Sequence, residues 1–101
     1  MLPEKIRKFV VELFNKTNAG NINWQYLAED ACVIARLPRF NVEIEYHFDL
    51  NEEIALFRLI HTSNETGSST VFVVKQFDKD YDDVRSLYEA AQACDLDTNL
   101  E

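Results

Sequence analysis

The chain has 101 residues, of which 47% are hydrophobic and 12% aromatic, so it holds enough apolar material for one folded domain. Its formal net charge of −8 argues against binding to nucleic acid or to an anionic membrane surface, because like charges repel. No apolar run reaches the roughly 20 residues of a membrane span, and charged residues interrupt the N-terminus too early for a secretory signal. We therefore expect a cytoplasmic protein in which Cys32 and Cys94 are buried, reduced thiols.

The first element is predicted to be an amphipathic helix. Apolar side chains recur at the spacing of one helical face: Ile6, Phe9, Val10, Leu13 and Phe14. The opposite side carries charges of alternating sign four residues apart: Glu4, Lys8, Glu12 and Lys16. One helical face should therefore be buried and the other should be in contact with water.

The stretch NKTNAGNINW, residues 15–24, is predicted to end this helix. Thr17 is a weak helix former, and Gly20 favours the left-handed conformation that terminates helices. Ile22 and Trp24 then alternate with asparagines, which is the pattern of an extended segment with one buried side. We expect a return strand whose tryptophan anchors the helix to a sheet.

The middle of the chain is rich in alternating and β-branched residues, which predicts three to four antiparallel strands in a meander: residues 32–37, 42–49, 54–61 and 70–77. A tight turn at Asn51-Glu52 sets the pairing of the two central strands. Ile44 should then face Leu59, and Glu45 should face Arg58 as a cross-strand charge pair.

A second helix is predicted to begin at Asp78 or Asp80, since acidic residues favour helix N-termini. Its apolar stripe consists of Val84, Leu87, Tyr88, Ala91 and Cys94. The expected fold class is α+β, in the order helix, meander, helix, with both helices on one face of the sheet. A single domain should cover residues 1–98. Residues 99–101 should form a disordered tail whose Leu100-Glu101 resembles an affinity-tag remnant.

The predicted register leaves an apolar group with a charged pair on the sheet face away from the helices: Ile54, Leu56, Ile60, Val71 and Val73, with Glu45 and Arg58. Such a face is unfavourable in water, so it predicts a partner, most simply a second copy in a homodimer. The alternative is a register error of one residue, which would exchange the two faces.

The sequence contains no nucleophile elbow, phosphate-binding loop, paired-cysteine metal site or zinc-protease helix, so we expect no enzyme activity and no cofactor. Glu43, Glu45 and His47 lie on one strand face, with His61 nearby in the chain. Same-face neighbours along a strand are about 6.5–7 Å apart, so these three side chains do not converge on one metal ion unaided. A solvated strand face explains them better than a metal or acid–base site.

Two short motifs carry a resemblance. Thr17, Gly20, Ile22 and Trp24 form a Thr-x-x-Gly-x-Ile-x-Trp turn after the first helix, and the last helix holds a Leu-Tyr-x-x-Ala element at residues 87–91. The pattern resembles small uncharacterised bacterial α+β proteins of the mobile-element type. That resemblance implies a bacterial origin and no particular activity.

Three function classes stay open. The favoured one is a non-catalytic protein-binding or assembly module that acts as a homodimer or through the outer sheet face. The second is an acidic inhibitor or immunity-type protein that neutralises a basic target through an acidic patch: Asp78, Asp80, Asp82, Asp83 and Glu89. The third is a small-ligand-binding protein or enzyme with a pocket between the helices and the sheet.

Overall fold

A computed structural model describes residues 2–96 and Leu100. The elements are α1 (Glu4–Asn18), β1 (Gln25–Leu27), β2 (Cys32–Arg36), β3 (Phe40–Asp49), β4 (Ile54–Ser63), β5 (Ser69–Lys75) and α2 (Tyr81–Cys94). The five strands form one antiparallel sheet in the order β1-β2-β3-β4-β5, so the α+β class and the meander are confirmed. Apart from Leu100, the expected tail at residues 99–101 lies outside the described residues.

The sheet has one strand more than the sequence predicts. The pattern of Ile22 and Trp24 places a strand over residues 22–24, but β1 begins only at Gln25. It is three residues long and pairs with β2 through Tyr26 opposite Val33. The turn between these strands is compact, because Ala31 adopts a left-handed conformation with φ of 49°. A three-residue strand is too short to show a period of two in sequence.

The end of α1 forms as predicted. Gly20 has φ of +79°, its N–H donates to the Thr17 carbonyl at 3.1 Å, and the Asn21 N–H donates to the Lys16 carbonyl at 2.9 Å. These two hydrogen bonds form a Schellman motif, which satisfies carbonyl groups that the helix end leaves unpaired. The chain can therefore turn back sharply toward the sheet.

Trp24 packs against the helix it follows and is only 4% exposed. Its Nε1–H donates to Thr17 Oγ1 at 2.9 Å, and the Thr17 hydroxyl donates to the Leu13 carbonyl at 2.7 Å. Thr17 is therefore a buried relay between the last turns of α1 and the tryptophan. The stretch NKTNAGNINW is structural in this fold.

The register of the two central strands is the predicted one. Ile44 faces Leu59, and Glu45 faces Arg58. The turn before β4 is held by Asp49 Oδ1, which accepts the Asn51 N–H at 2.9 Å. Because this register is correct, a one-residue slip does not account for the apolar residues on the second face.

The buried core contains residues of both helices and of one side of the sheet, and that side is here called the inner face. The inner face contributes Val33, Ala35, Val42, Ile44, Phe57, Leu59 and Val74 to the core. Helix α1 adds Val10 and Leu13, and α2 adds Val84 and Leu87. Fully burying one such aliphatic side chain stabilises the fold by roughly 1.5–3 kcal/mol before entropy is counted.

Candidate functional site

The outer face is the other side of the sheet, and its residues alternate with those of the core: Ile34, Glu43, Glu45, Ile54, Leu56, Arg58, Ile60, Val71 and Val73. Val71 and Val73 are 53% and 43% exposed, which is high for aliphatic side chains in the middle of a strand. Ile54 and Ile60 are half-buried, whereas Leu56 is only 8% exposed. The face therefore combines a partly covered apolar centre with an exposed valine edge.

Glu45 and Arg58 lie directly opposite each other on β3 and β4. No ion pair of 4.0 Å or less joins them within the part of the chain that the structure describes. The predicted charge pair is thus present in the register but not as a direct contact. Arg58 is exposed and leaves its guanidinium available to another carboxylate.

Burial raises the pKa of Glu43, and the neighbouring charges of Glu45 and Asp30 raise it further. Arg36 acts in the opposite direction and lowers this pKa. The outer face therefore holds a carboxylate whose charged form is disfavoured in the folded protein. That property makes Glu43 a source of instability at neutral pH.

The two cysteines differ in environment. Cys32 is 3% exposed, and burial, followed by Glu43, Glu45 and Asp30, raises its pKa to about 11. A thiol with this pKa is protonated at neutral pH and is a poor nucleophile. Cys94 is exposed, because it lies in the last turn of α2, so the expectation of a second buried thiol is wrong. Its Sγ–H donates to the Ile22 carbonyl at 3.4 Å in a partly buried hydrogen bond.

The predicted acidic patch is divided by the fold. Asp80 is only 1% exposed; its Oδ2 accepts the Leu2 N–H at 2.8 Å, and its Oδ1 lies 3.6 Å from Arg7 Nε. Asp80 is therefore a structural acceptor and adds nothing to a surface patch. The prediction that it shares a patch with Asp82 and Asp83 fails, since its side chain turns inward to the start of α1.

The other members of the patch lie nearer the surface. Asp78 is half-buried and accepts the Lys75 N–H at 3.0 Å, a hydrogen bond that lowers the pKa of its carboxyl group. Asp82 and Glu89 are exposed and lie 3.4 Å and 3.9 Å from Arg85, which offsets part of their charge. The acidic surface along α2 is consequently weaker than the sequence suggests.

The sheet separates the four residues considered for a metal or acid–base site. Glu43, Glu45 and His47 lie on the outer face, whereas His61 lies opposite Val42 on the inner face. The His61 ring stacks on Phe40 with 4.8 Å between ring centroids. Within residues 2–96 and Leu100, no group of three or more histidine, cysteine or acidic side chains is placed to hold a metal ion.

The sequence leaves open a pocket between the helices and the sheet, but it does not identify the residues of the cleft between α1 and the β2–β3 turn, here called the α1 cleft. One part, of about 400 Å³, is lined mainly by apolar side chains, including Phe9, Leu13 and Phe40. An adjoining part, of about 760 Å³, shares Phe40 and is lined by Lys5 and Arg39 among others. These residues are distant in sequence, so no local motif could reveal the cleft.

Neither α1 nor α2, the helices found among residues 2–96, has both the length and the apolar composition needed to cross a membrane. The resemblance to mobile-element-type bacterial proteins stays a prediction. No protein-family model matches the chain, and no curated protein or solved structure matches it either.

Proposed function

We propose that the chain is a non-catalytic assembly module that pairs with a second copy through the outer face, while both helices cover the inner face. The observation that supports this most is the exposed valine edge, Val71 and Val73, beside an unpaired Arg58. Apolar patches with charged rims mark interaction surfaces, and a two-fold axis is the commonest way for a protein to bind itself.

The outer face is complementary to itself. A two-fold axis parallel to the strands and midway between β3 and β4 would lay β3 of one copy over β4 of the other. Glu45 then meets Arg58 of the second copy twice, once on each side of the axis. The same operation lays β5 over β2, so Val71 packs near Ile34 of the second copy. Glu45 and Arg58 therefore meet opposite charges in the second copy, and Val71 meets an apolar residue.

The size of the face limits the strength of this dimer. The four strands that overlap, β2 to β5, are spaced about 4.8 Å apart and are about eight residues long, so they cover roughly 500 Å² per copy. Two copies then bury roughly 1,000 Å², at the lower bound of about 1,000–1,200 Å² for specific interfaces. Glu43 would face Ile60 of the second copy, which further weakens association, because the charged form of Glu43 is already disfavoured. We expect a reversible dimer with a Kd on the order of micromolar to tens of micromolar.

Sedimentation equilibrium tests this proposal over about 5 to 300 µM protein, a range that brackets the expected Kd. The unmodified chain should shift from monomer to dimer across the range, and Val73→Glu should stay monomeric. Val11→Glu is the matched control, because Val11 is 46% exposed on α1 and Val73 is 43% exposed on the outer face. A strictly monomeric unmodified chain at the highest concentration would contradict the proposal.

The acidic-inhibitor hypothesis has less support. It relies on the charge along α2, where Asp80 is buried and Arg85 offsets Asp82 and Glu89. Electrostatic capture of a basic target needs a continuous field of one sign. The outer face offers both apolar area and unpaired charge, so it is the better surface for a protein partner.

A further inference from the structure

The unpaired cations of this acidic chain are concentrated at the α1 cleft. Among the described residues, four basic side chains form ion pairs (Arg7, Lys8, Lys75 and Arg85), and Arg36 donates to Gln25. The other five have no carboxylate partner within 4.0 Å among residues 2–96: Lys5, Lys16, Arg39, Arg58 and Lys79. Three of these five line the cleft, namely Lys5, Lys16 and Arg39. Two acidic residues, Glu12 and Glu65, also line the cleft, so in a chain with 18 acidic and 10 basic residues its lining keeps a small positive excess of three to two.

The floor of the cleft is apolar and aromatic. Phe9 of α1 contacts the Phe40 ring edge-to-face, with 5.5 Å between centroids. Phe9 makes a similar contact with His61 at 6.1 Å, and His61 stacks on Phe40. Leu13 and Leu37 extend this floor toward Lys16. Ligand sites commonly combine a large apolar lining with a few polar groups, as this cleft does.

The cationic end of the cleft is held in place by the backbone. The Asn64 N–H donates to the Arg39 carbonyl at 3.0 Å, and Asn64 Nδ2 donates to the Leu37 carbonyl at 2.7 Å. The Leu37 N–H also donates to the Phe40 carbonyl at 3.0 Å, which closes the β2–β3 turn. These bonds fix the β4–β5 loop against the turn, so the backbone that carries Arg39 is ordered before any ligand arrives.

We propose that the α1 cleft binds a small amphipathic monoanion: a carboxylate attached to an apolar chain or ring. The carboxylate lies between Lys5 and Arg39, and the apolar body lies along Phe9, Leu13 and Phe40. Glu65 lines the same cationic end and repels a second negative charge, so a monoanion is favoured over a polyphosphate. The cleft lies on the inner-face side of the molecule, and its test is independent of the proposed dimer.

The expected affinity is modest. Octanoate is a suitable probe, since each methylene that it buries strengthens binding about fourfold, against which the cost of immobilising the ligand must be set. A Kd on the order of 0.1–1 mM follows. Exposed charge pairs contribute only modestly, so removing both cations should weaken binding roughly two- to thirtyfold.

The experiment follows backbone amide shifts of ¹⁵N-labelled protein during titration with octanoate, 1-octanol and acetate. Octanoate should shift the amides of Phe9, Phe40 and His61, and it should bind at least about tenfold more tightly than either single-feature probe. The double variant Lys5→Gln, Arg39→Gln should lose affinity for octanoate. The Glu65→Gln variant should bind octanoate about two- to threefold more tightly, because it lacks a repulsive charge.

The matched control is Lys8→Gln, Lys79→Gln, which removes the same net charge at exposed positions outside the cleft. It should bind octanoate as the unmodified protein does. Three results would overturn the proposal: no saturable shift up to about 5 mM octanoate, unchanged affinity in the Lys5→Gln, Arg39→Gln variant, or shifts confined to Val71 and Val73 on the outer face.

Discussion

The residue that holds Trp24 against the last turns of α1 is Thr17, which is 6% exposed. Its hydroxyl accepts from Trp24 and donates to Leu13, so one small side chain satisfies two buried polar groups. This role is invisible in sequence, where Thr17 reads only as a weak helix former. The hydroxyl, and not the shape of the side chain, is what the fold needs at this position.

Thr17→Val should therefore destabilise the protein by about 1–3 kcal/mol, because it keeps the shape but leaves the buried Trp24 Nε1–H without an acceptor. Urea unfolding, monitored through Trp24 fluorescence, measures this change in the free energy of unfolding. Thr70→Val is the control at an exposed strand position and should change stability by less than about 0.5 kcal/mol. Equal stability of the two variants would contradict the relay.

Glu43 makes stability depend on pH. Its folded pKa is raised from the ordinary value of 4.5, so the folded state binds this proton more tightly than the unfolded state does. The resulting stabilisation is complete below pH 4.5 and is lost as the pH rises through the folded pKa. At neutral pH the charged carboxylate on the outer face opposes folding.

Glu43→Gln should accordingly raise the Tm at pH 7, and the difference from the unmodified protein should close below about pH 4. Thermal unfolding at several pH values measures the Tm difference at pH 7 and its disappearance at low pH. The protein concentration must be low enough to keep the chain monomeric. Glu12→Gln on the exposed side of α1 serves as the control. A Glu43→Gln variant that is less stable at pH 7 would show that the carboxylate has a favourable partner.

At the scale of elements, the two helices are tied together by Asp80. Its carboxylate accepts the Leu2 N–H and lies near Arg7, so it joins the segment before α1 to the start of α2. Acidic residues also cap helices, and the capping pattern alone explains why sequence assigns Asp80 to the surface of α2. The backbone amide it accepts lies 78 residues away, and no local pattern signals that contact.

Asp80→Ala should cost about 2–3 kcal/mol, because it leaves a buried backbone N–H unsatisfied and a partly exposed Arg7 unpaired. The exposed Asp83 provides the control: Asp83→Ala should change the free energy of unfolding by less than about 0.5 kcal/mol. Chemical denaturation of both variants gives the comparison. Similar small losses in both would place Asp80 among ordinary surface residues.

Some features of the fold are predictable from the sequence and others are not. The register of β3 with β4 follows from strict alternation and a tight turn, because a slip of one residue would expose Ile44 and bury Glu45. Strand β1 lacks such a signal, since three residues cannot define a period. The α1 cleft lacks one too, because Lys5, Arg39 and His61 come together only through tertiary packing.

At the scale of the whole molecule, the outer face is the surface through which we propose that two copies pair. The core covers the middle of the inner face, although Tyr46 and Phe48 stay partly exposed at the end of β3. On the outer face, Val71, Val73 and Arg58 lie in contact with water. The register expected from the sequence already places these residues together on one face of the sheet. No sequence pattern identifies what covers them. Self-complementarity of charge across β3 and β4 makes a second copy the simplest occupant.

Charge reversal tests that central claim most directly, with sedimentation equilibrium as the readout. Glu45→Arg and Arg58→Glu, each alone, place like charges together on both sides of the two-fold axis and should leave the chain monomeric. The double variant Glu45→Arg, Arg58→Glu restores opposite charges between the copies and should dimerise again. Dimers in both single variants, or a monomeric double variant that is folded, would contradict pairing of this face with itself.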